Sequence, residues 1–179
     1  MHPMPSYAFL SHASLLNFKG LITAPSLAAT ISNIGNIHYE NGNLNLALSH
    51  YKESLSMYKR YFGPDAASTE IAITLSNIGE CQLANKEFTN ALDSFNEALK
   101  MFKSNLSLKH IRIAESLFWI GQTYQGLGDK TKALKYYSEA LLMAHDVQGG
   151  EKMELISKIV KAYLNALLKT EDFPSLEIQ

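Results

Sequence analysis

Charge is scarce in this chain. Of its 179 residues only 18% are Asp, Glu, Lys or Arg, and 17 acidic against 16 basic side chains leave a net charge of −1. A nucleic-acid surface needs a basic face, so nucleic acid is not an expected partner. Cysteine occurs once, as Cys81, which excludes an internal disulfide and fits a cytoplasmic protein. No apolar run reaches 18 residues, so no helix is expected to cross a membrane. The apolar stretch Tyr7 to Phe18 follows no positive segment and precedes no clear small-residue cleavage site, so it does not read as a secretory leader. Residues 1 to 51 hold only Lys19 and Glu40 as charged groups; a face so poor in charge is often covered.

Catalytic and metal-binding patterns are missing as well. The histidines at 2, 12, 38, 50, 110 and 145 form no i,i+4 pair, and there is no His-Glu-x-x-His stretch. No serine or cysteine has a base at nucleophile-like spacing. Gly121-Gln122-Thr123-Tyr124-Gln125-Gly126 opens like a phosphate loop but lacks the Gly-Lys-Ser/Thr ending and a preceding strand. The expectation is a protein that is not an enzyme and needs no cofactor or metal. One basic cluster, Lys100, Lys103, Lys109, His110 and Arg112, reads as a solvated bend, with docking of an acidic peptide as the sharper alternative.

What the chain does have is repetition. Ile31-Ser32-Asn33-Ile34-Gly35, Leu75-Ser76-Asn77-Ile78-Gly79 and Leu117-Phe118-Trp119-Ile120-Gly121 place three glycines 44 and then 42 residues apart. Twelve residues after each glycine stands an alanine: Ala47, Ala91 and Ala133. Four further on comes an aromatic, Tyr51, Phe95 or Tyr137, and three beyond that a small residue, Ser54, Ala98 or Ala140. A period of this length means a stack of one supersecondary unit.

Apolar residues at helical spacing predict two helices per unit. The first helices cover roughly 27–41, 69–84 and 110–127, the second 44–61, 88–103 and 130–145. The intervening turns carry Asn41-Gly42-Asn43, Asn85-Lys86 and Gly128-Asp129, where glycine, or asparagine in the middle unit, is expected to take the left-handed conformation. Phe62-Gly63-Pro64-Asp65 is a helix stop. Glycine inside a helix costs about 1 kcal/mol against alanine, sensible only where another backbone comes close. The aromatics are expected to fill the gap between neighbouring units.

These offsets resemble the tetratricopeptide repeat, over about Ser26 to His145. The long period, Ser-Asn-Ile-Gly in the first helices and the Gly-Pro-Asp turn are similar to the subclass found in kinesin light chains; scaffolds of cell-polarity adaptors and of bacterial peptide-sensing regulators are close to it. The resemblance implies an all-α, helix-turn-helix repeat solenoid, a right-handed superhelix of three repeats plus terminal helices. The divisions are residues 1–25, a leading segment with an unpaired helix over Tyr7 to Asn17; repeats at 26–65, 66–109 and 110–148; a terminal capping helix or half repeat over 151–170; and a tail, 171–179.

In such stacks the first helices line a concave face that binds a protein or peptide segment. Counted from the glycines, the groove residues are Asn33, Asn36 and Tyr39 in unit one, Asn77, Glu80 and Leu83 in unit two, and Phe118, Trp119 and Gln122 in unit three, with Lys158 and Lys161 from the terminal helix. Asparagine offers a donor and an acceptor, as a peptide backbone requires. Trp119 is either a groove anchor or a core residue between units. Relatives that hold the C-terminal carboxylate of heat-shock chaperones use lysine or arginine on the first two helices; serine, asparagine and glutamate stand here, so that ligand is not expected. The function read from the sequence is a non-catalytic interaction scaffold. Two alternatives stand: a self-associating or fragmentary repeat array, and the sensor module of a larger regulatory protein.

Overall fold

A computed structural model describes residues 24–147 and 152–168. Its described residues form seven helices and no strand: α1 (Ala24–Glu40), α2 (Leu44–Phe62), α3 (Thr69–Ala84), α4 (Phe88–Asn105), α5 (Ile111–Gly126), α6 (Lys130–Asp146) and α7 (Lys152–Leu168). Each helix packs on the next, and the odd-numbered helices also touch one another along one side, so the layers build an all-α helix-turn-helix solenoid. The helix proposed for Tyr7 to Asn17 and the tail beyond 170 lie outside the described residues.

The glycine pattern has a direct steric cause. A β-carbon at Gly79 would lie 2.7 Å from Phe95 Cε1, and one at Gly35 or Gly121 would lie 2.7 Å from a ring carbon of Tyr51 or Tyr137. Each first helix therefore lies on the ring of its own second helix, so the close partner of these glycines is an aromatic face and not the second backbone expected from the sequence. Ala47, Ala91 and Ala133 are fully buried where the two helices cross. Sequence reasoning put the aromatics between units; they sit first of all inside each unit, against its glycine. Two of them also reach the next unit: Tyr51 clusters with Ile78 and Cys81, and Phe95 stacks on Trp119 at 6.2 Å and 5°.

A second position varies in chemistry while keeping its pairing. His38 stacks on His50 at 5.3 Å, and Tyr124 stacks on Tyr136 at 5.4 Å at the same places in units one and three. Unit two has Gln82 and Ser94 there, joined by a hydrogen bond of 2.7 Å from the serine hydroxyl. His38 is thus a packing residue.

The turns correct one expectation. Gly42, Lys86 and Gly128 take the left-handed conformation, with φ of 75°, 62° and 79°. In the middle turn that residue is lysine, while Asn85 has an ordinary φ of −78°. Register decides this: all three positions lie seven residues beyond the unit's glycine, and the backbone must reverse at that point whatever side chain it carries.

α1 exposes Leu27 (43%), Ile34 (39%) and Ile37 (58%). The matching residues of α3, Ile71, Ile78 and Cys81, are buried because α2 precedes them in the stack. Α1 has no such neighbour among the described residues.

Three single substitutions probe this packing and the middle turn. Gly79→Ala is expected to destabilise by about 1–3 kcal/mol despite the better helix propensity, because Phe95 is buried and cannot yield, and Ala91→Leu by a similar amount; Phe95→Leu added to Gly79→Ala should return part of the loss in thermal melting. Lys86→Gly should raise stability by roughly 0.5–1 kcal/mol by relieving the left-handed strain, measured by urea unfolding.

Candidate functional site

The odd-numbered helices leave two adjoining cavities along their shared side. One, of about 260 Å³, lies between α1 and α3 and is lined by Asn36, Tyr39, Glu40, Tyr51, Asn77 and Glu80. The other, of about 130 Å³, lies between α3 and α5, with Asn77, Glu80, Arg112, Glu115 and Trp119 among its walls. Asn77 and Glu80 belong to both, so the two make one groove with these side chains at its centre.

Hydrogen bonds fix the first cavity. The Tyr51 hydroxyl donates to Asn36 Oδ1 at 2.7 Å, and Asn77 Nδ2 donates to the same oxygen at 3.3 Å. The ring that wedges against Gly35 thereby also orients the groove. The Asn36 amide nitrogen and the Asn77 carbonyl oxygen make no further bond among the described residues, so donor and acceptor groups remain unpaired on both side chains.

Charge fixes the second. Arg112 pairs with Glu115 at 3.1 Å. Glu80 has no hydrogen bond or ion pair among the described residues. Burial first, and Glu115 next, push its carboxyl up to about 7, while Arg112 and Lys158 pull it down. Its charge in turn raises Tyr39 and Cys81, after burial; the Cys81 thiol reaches about 11, so it is unreactive and simply core.

The expected groove residues divide into three sets. Asn36, Tyr39, Asn77, Glu80 and Trp119 come together in the groove. Trp119 is half-buried: one face stacks on Phe95, and part of it lines the cavity, so the choice between groove and core resolves as both. Phe118 was expected in the groove and is buried at 7% exposure against Tyr137, because one residue along a helix turns a side chain by about 100°. Asn33 is exposed on α1 and lines neither cavity; Leu83 packs on the core; Gln122 is half-buried outside both. Lys158 is exposed and pairs with Glu154 at 2.7 Å, and Lys161 is exposed. Sequence reasoning missed Arg112 and Glu115 as groove residues. They lie seven and four residues before the proposed Trp119, a helical spacing that puts them on its face.

Other candidates resolve into structure. Lys109 pairs with Asp146 at 3.4 Å and the His110 ring caps α5 through the Arg112 N–H, so the basic bend is partly self-neutralised. Gly121 to Gly126 lie inside α5, and Gly126 faces the ring of Phe88, which leaves no phosphate cradle. Among the described residues no three metal-ligating side chains gather, and no helix is long and apolar enough to cross a membrane.

Two family models, both described as tetratricopeptide repeat, match residues 27–65 and 70–144, together well over half of the chain. This is a tetratricopeptide-repeat protein. No curated protein matches its sequence. Solved structures share the fold of this tetratricopeptide-repeat chain at low identity. BtubC (BKLC) from P. vanneervenii is 17% identical with a TM-score of 0.67, over 82% of this chain and 61% of BtubC, so the chain spans less than two thirds of that protein. A TPR-like protein from Chlorobium tepidum is 15% identical with a TM-score of 0.64, over 80% and 98%. The TPR2AB domain of yeast Sti1, solved in complex with pHSP90, is 22% identical with a TM-score of 0.56, over 79% and 49%.

The raised Glu80 carboxyl sets a pH dependence. A folded-state value near 7, above the usual carboxylate range, means that its contribution to stability is complete below about pH 4.5 and falls as pH rises to 7. Glu80→Gln should therefore melt close to the wild-type protein at pH 5 and higher than it at pH 8, by on the order of 1 kcal/mol. A gap independent of pH would show that Glu80 is not desolvated.

Proposed function

We propose that this tetratricopeptide-repeat protein is a non-catalytic interaction scaffold that holds an extended segment of a partner protein in its concave groove. The observation that carries the reading is the continuous groove across α1, α3 and α5, centred on Asn77 and Glu80, with free donor and acceptor groups on the two asparagines. These polar groups do no work in the core. An extended chain advances about 3.3 Å per residue, so a few residues bridge both cavities. The Sti1 domain in complex with pHSP90 is a precedent for a partner bound by this fold. The groove chemistry differs from that needed by a terminal carboxylate, because a glutamate rather than a cation stands at its centre.

The subclass similar to kinesin light chains is supported by the 44- and 42-residue periods, the Gly63-Pro64-Asp65 turn and the likeness in shape to BtubC (BKLC). A second reading, self-association, is favoured by the exposed apolar side chains at both ends of the stack: Leu27, Ile34 and Ile37 on α1, Val160, Leu164 and Leu167 on α7. Sedimentation at rising concentration separates the two readings.

The groove reading is tested by affinity capture from lysate with the wild-type chain, Asn77→Ala and Trp119→Ala as baits. Proteins held by the wild-type chain should be lost or weakened with both variants. The asparagine should be worth roughly 0.5–1.5 kcal/mol and the tryptophan on the order of 2 kcal/mol. Circular dichroism should show both variants folded. Undiminished capture by both variants would place the interaction elsewhere.

A further inference from the structure

The cavity between α3 and α5 contains an electrostatic mismatch. Two carboxylates, Glu80 and Glu115, share it with a single guanidinium, Arg112, which is engaged by Glu115 at 3.1 Å. Glu80 is left without a partner among the described residues, half-buried beside a like charge. Burying an uncompensated charge is costly, and the cost is removed by a cation brought to it. The other cationic side chain that acts on it, Lys158, lies on α7 and is held by Glu154 at 2.7 Å. The free carboxylate also stands at a geometrically special place, where the two cavities meet.

The walls define the shape of that cation. Trp119 presents an apolar surface held in place by its stack on Phe95, and Ile73 adds an aliphatic one. Such walls suit a flexible methylene stem, and an indole face attracts a positive head. On the α1 side, Asn36 and Asn77 offer hydrogen bonds to a backbone rather than to a charge.

We propose that the cavity between α3 and α5 is a pocket for a lysine or arginine side chain of the bound segment, its cationic head on Glu80 and its stem along Trp119. This rests on the groove reading above and adds to it the sign and the shape of the partner. The raised carboxyl of Glu80 accords with it, since an arriving cation restores the charge that burial disfavours.

The test is selection of a phage-displayed random 12-residue peptide library on the wild-type chain and on Glu80→Gln, followed by titration of synthetic peptides from the enriched pool, read by the emission of Trp119, the sole tryptophan. The wild-type chain should enrich peptides with lysine or arginine at one fixed position. Glu80→Gln should lose that preference. For such a peptide, Glu80→Gln and replacement of the basic residue by norleucine should each weaken binding by at least about tenfold, and the two together by little more than either. Enriched peptides that depend on Asn77 but carry no basic residue, or that bind Glu80→Gln unchanged, would overturn the pocket and leave the groove reading standing. Enriched peptides indifferent to Asn77, Glu80 and Trp119, or no enrichment at all, would overturn both.

Discussion

Every unit of this protein depends on one contact, an aromatic ring lying directly on a glycine of the preceding helix. Gly35 with Tyr51, Gly79 with Phe95 and Gly121 with Tyr137 leave no room even for a methyl group. The contact sets how closely the two helices of a unit approach and how the first is rotated about its own axis. Buried alanines at 47, 91 and 133 bring the backbones together at the same crossing. Since each unit also rests on the one before it, the close approach is passed along the stack.

The rotation of the first helices decides what the groove is made of. With the glycine turned inward onto its ring, the positions one after it and two before it supply groove residues unevenly: Asn36 in unit one, Asn77 and Glu80 in unit two, Trp119 in unit three, while Asn33 and Gln122 at the same offsets line neither cavity. The aromatic then takes on a second task where it carries a hydroxyl. Tyr51 reaches Asn36, and Tyr137 reaches Gln125 at 2.5 Å. Phe95 has no hydroxyl to satisfy and its ring is met by Trp119 instead. One repeated position thus serves packing in all three units and organises a different polar or apolar environment in each. This is how a regular stack acquires an irregular groove.

Glu80 illustrates the consequence. Its position is ordinary on one helix, one residue past a glycine. It becomes unusual only because α5 brings Glu115 beside it while holding Arg112 in a pair, and because two neighbouring helices remove water from it. The groove is therefore acidic at its centre although the chain as a whole is nearly neutral.

The sequence by itself determined the helices, their pairing and the repeat. Helix α3 runs over the span that its periodicity predicts, and the others differ by at most three residues at an end. Periodic apolar residues, glycine stops and the fixed glycine-to-alanine offset are local signals, and local signals are legible along a chain. Tertiary structure alone decided the rest. That Phe118 turns into the core while Trp119 straddles core and groove depends on helix rotation to within a few tens of degrees, which is set by the Gly121–Tyr137 contact and not by apolarity. That Lys86 rather than Asn85 takes the left-handed turn depends on where α4 must begin. The Arg112–Glu115 pair is local to one helix, but that Glu80 comes to lie beside it without a partner of its own depends on the distance between helices more than thirty residues apart in sequence, which exists only once the stack has closed.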